Sequence, residues 1–234
     1  MGSSGRIRGE EQSALALTVR LTPLLTKALQ DIQAVLSLVA KARGHANNVE
    51  GLYKAQSNSP TEKMRLDEKA RQAYSGFKET IMLLRQSVKR TENAISDMSQ
   101  CISPLRGIEQ YSKQLEKEFS SVDTPSGKRQ IAFEEGILSS AKNVASGIEL
   151  NIQRCRAIKA KLTTFLTRAN AVFQPEPGRN PTMFAVSVIQ LKEELEQLQM
   201  WYTAAFNSIL HINAIVDKVA RLETAILRQG LSTR

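Results

Sequence analysis

Four long stretches of the chain place apolar residues at alternating spacings of three and four. These seams run from Leu21 to Tyr53, from Ala70 to Leu105, from Ile137 to Val172 and from Phe184 to Val219. A sustained average period of 3.5 residues is typical of helices that pack knobs-into-holes, whereas exposed strands repeat every two residues. Only the short segment 15–21 alternates as a strand does. The pattern therefore predicts an all-α chain.

Three proline-containing connectors separate these stretches. They are SNSPTEK (57–63), SVDTPSGK (121–128) and QPEPGRNPT (174–182). In each, a proline follows Ser59, Thr124 or Asn180, as expected for an N-cap residue before proline at the first helical position. The predicted helices are 22–57, 60–120, 125–173 and 181–229, within one elongated bundle over 13–230 and before a tail at 231–234.

The number of apolar positions per heptad decides between a two-stranded coiled coil and a bundle. Apolar residues such as Leu36 and Phe206 flank the seams of the first and fourth helices. A two-stranded seam needs two apolar positions per heptad, but a bundle interior needs three or four. Short connectors also make consecutive helices antiparallel. We therefore predict an extended antiparallel four-helix bundle with heptad packing; the alternative is a shorter bundle that dimerises.

Charge and cysteine usage limit the partners and the compartment. The net charge of +9 favours an acidic partner, whether nucleic acid, anionic lipid or an acidic protein. Cys101 and Cys155 predict free thiols in a reducing, cytoplasmic compartment, with a single bridge as the alternative. Residues 1–12 lack the apolar core of a signal peptide and predict a disordered leader, either natural or left from cloning.

No signature of catalysis or of ligand binding stands out in the sequence. Neither His45 nor His211 lies three residues after a glutamate, and the seams hold no carboxylate, which argues against a di-iron centre. P-loop, dinucleotide-binding and nucleophile-elbow motifs do not occur. Cys155 occupies a seam position and Cys101 flanks a seam, so both are interpreted as packing residues. We expect no enzyme activity, no cofactor, no metal and no small-molecule substrate.

A basic flank lies on the third predicted helix, in a segment without acids between Glu149 and Glu176. It consists of Arg154, Arg156, Lys159, Lys161 and Arg168. Three of these residues follow one another at seven-residue spacing and form a stripe suited to an extended anionic surface. The alternative is a solvated flank whose cations pair with carboxylates of helix two or four, such as Glu193, Glu194 and Glu196.

Residues 197–216 are twenty residues without a charge. Seven of the twenty are polar, which argues against a membrane span. The seam accounts for one side of the segment but leaves an uncharged outward face. This α4 face consists of Met200, Thr203, Ala204, Asn207, Leu210, His211 and Ala214. Because a helix without a charged face is usually covered, we expect it to pack under another element or a partner.

One polar seam residue, Asn151, has two interpretations. A buried Asn in a heptad fixes helix register or partner number. Alternatively, its amide meets Thr91 or another nearby group.

These features favour a non-catalytic interaction or assembly protein that presents a helix face and a basic flank to a partner, with self-association or a protein partner expected. The first alternative is a membrane-acting protein, either a soluble component of an α-helical pore-forming toxin or a curvature-binding bundle. This alternative rests on architectural analogy alone. The second alternative is nucleic-acid binding through charge, without sequence preference.

Overall fold

A computed structural model gives the fold of the chain. It describes the backbone of residues 3–55, 59–119, 125–173 and 181–232. Side chains are described within 20–52, 54–55, 59–62, 64–65, 68–69, 71–107, 139–173 and 186–218.

The described elements are four α-helices, with no strand among them, which confirms the all-α prediction. Helix α1 spans Ser3–Lys54, α2 spans Pro60–Phe119, α3 spans Pro125–Phe173 and α4 spans Pro181–Ser232.

Proline opens three of the four helices, as the connectors predicted. Pro60, Pro125 and Pro181 are the first residues of α2, α3 and α4. Proline suits this position because its φ angle is already helical and the amide hydrogen that it lacks has no partner in the first turn. The predicted N-cap residues Thr124 and Asn180 lie outside the described residues.

Helix α1 begins earlier than the sequence predicted. It starts at Ser3 rather than near residue 22, and thus includes residues 3–12, which were expected to form a leader. The strand-like segment 15–21 is helical as well. Pro23 lies inside α1 on its exposed side, where water can replace the hydrogen bond that the proline ring removes. Residues 1–2 and 233–234 lie outside the described residues.

The chain divides into two compact units, and each unit contains a segment of every helix. The first unit comprises residues 1–29, 94–153 and 207–234. The second unit comprises residues 30–93 and 154–206.

The first unit buries apolar residues that recur at spacings of three and four along its helix segments. Its buried residues include Leu21, Leu25, Ala28, Met98, Leu105, Val144, Ile148, Ile209, Ile212 and Val216. In α3 the polar Asn151 belongs to the same buried row. These are the seam positions that the sequence predicted for α1, α3 and α4.

The second unit buries larger side chains. Its core includes Ile32, Val35, Val39, Phe77, Leu84, Leu162, Phe165, Leu195, Leu198 and Tyr202. The ring of Phe173 lies 5.5 Å from that of Tyr74 and 5.7 Å from that of Phe77, between centroids. These tilted aromatic pairs connect the last residue of α3 to α2.

From Val88 onward, the seam of α2 differs from the prediction at every second position. The expected residues Val88, Ile95 and Ile102 are only half-buried. Their smaller neighbours are buried instead: Ser87, Ala94 and Cys101. Small side chains allow a neighbouring helix to approach α2 closely. The larger side chains of α2 then pack at the edge of that contact. Cys101, expected beside the seam, therefore lies in it.

Candidate functional site

The part of the α4 face in the second unit is exposed. Met200, Thr203 and Ala204 all face solvent, and Met200 is 64% exposed. Their positions follow from the helix repeat, because the buried Leu198, Tyr202 and Ala205 take the core side of the same turns.

The part of the α4 face in the first unit is exposed as well. Asn207, Leu210, His211 and Ala214 face solvent, and Leu210 is 48% exposed. No described part of the chain covers either group. Among the described residues, the first of the two predicted coverings, another element of the chain, is therefore not found.

Charged residues border the α4 face but do not enter it. Glu196 and Asp217 are the nearest charged residues on either side along α4. Within the described residues, no helix has a continuous apolar stretch long enough to cross a membrane. The uncharged segment therefore forms one side of a core helix and an uncharged surface.

Two cations of the basic flank form ion pairs within the second unit. Lys159 Nζ lies 2.9 Å from Glu92 Oε1 on α2, and Arg168 Nη1 lies 2.7 Å from Glu194 Oε1 on α4. Exposed pairs of this kind contribute about 0–1 kcal/mol each. These two residues follow the prediction of a solvated flank that pairs with helices two and four.

The other three cations of the flank have no carboxylate partner in the described part of the chain. Arg154 and Arg156 are exposed and form no ion pair with any residue that the structure describes. Lys161 Nζ lies 4.2 Å from the ring centroid of Trp201, which is a cation–π contact. By its spacing in the sequence, Trp201 is only one of the apolar residues that flank the seam of the fourth helix. The signal that could have found this contact was the equal seven-residue spacing of Lys161 and Arg168 on α3 and of Glu194 and Trp201 on α4.

A buried hydroxyl pair lies in the core of the second unit. The Tyr202 hydroxyl lies 2.8 Å from Thr91 Oγ1, which itself donates to the carbonyl of Ser87 at 2.8 Å. Because threonine has one hydroxyl proton, Tyr202 is the donor of the shared bond. Burial raises the pKa of Tyr202, so this phenol stays protonated at neutral pH.

Asn151 is a buried polar residue in the core of the first unit. Its Nδ2 donates to the Gly147 carbonyl and to Ser208 Oγ, both at 2.9 Å. Its Oδ1 is buried and has no hydrogen-bond partner. The partner of Asn151 is thus Ser208 rather than Thr91, which belongs to the other unit and bonds with Tyr202.

The two cysteines are buried free thiols, as the sequence predicted. Burial, together with the charge of Asp97, raises the pKa of Cys101 to about 12. Burial alone raises the pKa of Cys155 to about 11. Both thiols are therefore protonated at neutral pH, and neither has the thiolate character of a nucleophile.

The histidines do not gather with other ligand-type side chains. His45 is half-buried against Gly76 of α2, and His211 is exposed on α4. The described residues contain no group of three His, Cys, Asp or Glu side chains that could hold a metal ion.

The sequence matches no protein-family model, and a search of the curated proteins finds no significant similarity. The α4 face and the basic flank are therefore the two surfaces of the chain that bear on its function.

Proposed function

We propose that the chain is a non-catalytic interaction or assembly protein, in which an antiparallel four-helix bundle with heptad packing presents the α4 face and the basic flank to a protein partner or a second copy. The buried rows at spacings of three and four support the heptad packing. The side-chain chemistry supports the absence of catalysis, because the buried thiols and the buried phenol are all held protonated.

The exposed α4 face carries this proposal. Met200, Thr203 and Ala204 in the second unit, and Asn207, Leu210, His211 and Ala214 in the first, face solvent without an Asp, Glu, Lys or Arg among them, although 24% of the chain's residues are charged. Two of its members, Met200 and Leu210, are among the few large apolar residues that face solvent. Exposed apolar side chains on a face without charged residues are the feature that supports a contact surface here.

Charge substitutions on the α4 face test the proposal. Ala204→Glu combined with Leu210→Lys adds one charge of each sign and leaves the net charge unchanged. We expect the variant to lose association with its partner. Size-exclusion chromatography with light scattering measures this loss, either with a protein partner obtained by affinity capture or with the protein alone. Circular dichroism should show unchanged helix content, because both residues are exposed.

A matched control places the same charges on other exposed residues. Ala40→Glu with Met82→Lys uses one exposed residue of α1 and one of α2. This control should associate as the wild type does. Equal association of the two variants would rule out the α4 face as the contact surface.

The membrane and nucleic-acid alternatives make separate predictions. Sedimentation with vesicles that contain phosphatidylserine should be positive only for a membrane-acting protein. A gel shift of duplex DNA that disappears as salt rises should be seen only for binding through charge. For an interaction protein we expect neither.

A further inference from the structure

We propose that the second unit carries a docking strip for an acidic amphipathic helix of a partner, located where α3 and α4 lie side by side. The proposal rests on the proposed function, because it names the chemistry of the partner. The strip consists of Arg154, Ala157, Lys161, Gln197, Trp201 and Ala204.

Two contacts fix the alignment of α3 and α4 along the strip. Lys161 lies over Trp201, and Arg168 pairs with Glu194. A step of seven residues toward the C-terminus of α3 thus corresponds to a step of seven residues toward the N-terminus of α4. The two helices run antiparallel with these side chains in the seam between them.

The side chains just outside this seam are small or uncharged. Ala157 precedes Lys161 by four residues, and Ala204 follows Trp201 by three, so each shares a face with the contact residue. Gln197, four residues before Trp201, completes the rim. All three are exposed. Alanine on both rims leaves room for a third helix to approach at a normal interaxial distance of about 8–10 Å.

The cations of the strip are not neutralised within the described part of the chain. Arg154 forms no ion pair, and Lys161 contacts an aromatic ring rather than a carboxylate. The sequence contains no acidic residue between Glu149 and Glu176. An occupant with negative charge is therefore favoured.

The spacing of the cations is one that the acids of a partner helix can match. Arg154 and Lys161 lie seven residues apart, which is about 10 Å along α3. Acids placed every seven residues on a partner helix repeat at the same distance. Every third phosphate of a DNA strand, at about 3.4 Å per nucleotide, would match this distance as well. The single aromatic ring of the strip, however, is already covered by Lys161, which leaves no ring on which a base could stack.

A second copy and a lipid surface fit less well. A second copy carries the same net charge of +9 and would bring like charges together. The strip also has no bulky exposed aliphatic residue to enter a membrane interface.

A displayed library of helical peptides tests the chemistry directly. The peptides have about three heptads, with fixed Ala and Leu at the seam positions and randomised flanking positions. Selection on the full chain should enrich Glu or Asp at positions seven residues apart on one side of the seam. A selected consensus without this acidic row would overturn the proposal.

Charge reversal locates the binding on the protein. For an enriched peptide, Arg154→Glu with Lys161→Glu should lower the affinity at least tenfold by fluorescence anisotropy. The control Lys78→Glu with Lys89→Glu makes the same change of net charge on exposed residues of α2 and should bind as the wild type does. Arg154→Glu alone keeps the Trp201 contact and should still lower the affinity several-fold if the double variant does not fold.

The remaining outcomes contradict the proposal. Equal loss in the strip variant and the α2 variant would indicate net charge rather than a site. Preferential binding of a single-stranded oligonucleotide or of phosphatidylserine vesicles to the strip would assign it to another class of partner. Failure of these tests leaves the proposed function intact as long as Ala204→Glu with Leu210→Lys still abolishes association.

Discussion

At the scale of single residues, polar groups buried in the two cores affect how the helices align, which apolar packing alone does not determine. The Asn151 amide makes two hydrogen bonds but leaves its oxygen buried without a partner. Such an atom costs about 1–3 kcal/mol, which is comparable to what the two bonds return. This position is therefore better explained by specificity of the α3–α4 register than by stability.

Replacement of Asn151 by leucine tests this explanation. We expect Asn151→Leu to raise the free energy of unfolding by about 1 kcal/mol, because it removes the orphan oxygen and buries apolar surface. Ser208 is half-buried and can turn to water. Urea denaturation measures the change. Asn151→Asp, of the same shape but charged, should destabilise by more than about 2 kcal/mol, and a destabilised leucine variant would contradict the explanation.

Ionisation of Glu50 makes the stability of the folded state depend on pH. Hydrogen bonds from Lys192 first, and from Lys54 next, lower the pKa of Glu50 to about 2 from 4.5. Since the folded-state value is the lower one, ionised Glu50 favours the folded state. Its contribution is complete above pH 4.5 and is lost as the pH falls to about 2.

A comparison of acid denaturation curves measures this contribution. The difference in unfolding free energy between the wild type and Glu50→Gln should be constant near neutral pH and shrink toward zero below pH 4.5. The side chains of Glu50 and Lys192 are partly exposed, so added salt should reduce the difference. A difference that does not change with pH would mean that Glu50 acts through packing instead.

At the scale of the elements, small residues determine how closely helices approach. A Cβ atom added to Gly76 of α2 would lie 2.6 Å from Cε1 of His45 on α1. The same substitution at Gly107, also in α2, meets nothing within 4 Å. The two glycines therefore separate the effect of helix propensity from that of packing between helices.

A set of alanine variants tests this separation. Gly107→Ala should stabilise by about 1 kcal/mol, which is the usual gain in helix propensity. Gly76→Ala should gain less, because the imidazole has to rotate away. In a His45→Ala background, Gly76→Ala should recover the full gain. Thermal denaturation of the variants measures these differences, and equal gains at Gly76 and Gly107 would show that His45 yields without cost.

At the scale of the whole molecule, every helix contributes to both units. Each unit holds one buried cysteine, Cys101 in the first and Cys155 in the second. Because burial keeps both thiols protonated, neither should react with a thiol reagent until its unit opens. The two cysteines are thus built-in reporters of the two units.

Single-cysteine variants measure whether the units unfold together. In Cys155→Ala only Cys101 can react, and in Cys101→Ala only Cys155 can react. We expect labelling of Cys101 and of Cys155 to have the same denaturant midpoint, after correction for the global stability of each variant. The reason is that continuous helices transmit unfolding from one unit to the other. A lower midpoint for one cysteine would show that its unit opens independently.

The sequence by itself determined the all-α fold, the proline-initiated helices and the seams of α1, α3 and α4, because a 3.5-residue apolar period is a local property of the chain. It also marked the α4 face and the basic flank, since charge along a helix can be read from spacing. It could not decide which of two adjacent positions α2 buries. Ser87, Ala94 and Cys101 are buried in place of larger neighbours because close approach between helices depends on the facing surface.

Only the tertiary structure decided the partners of the polar groups. Asn151 meets Ser208, Tyr202 meets Thr91, and Lys161 lies over Trp201. The relative alignment of two helices fixes each of these contacts, and that alignment is a property of the packed chain. For the same reason, tertiary structure alone showed that the α4 face stays exposed: whether a helix face is covered depends on every other element of the chain.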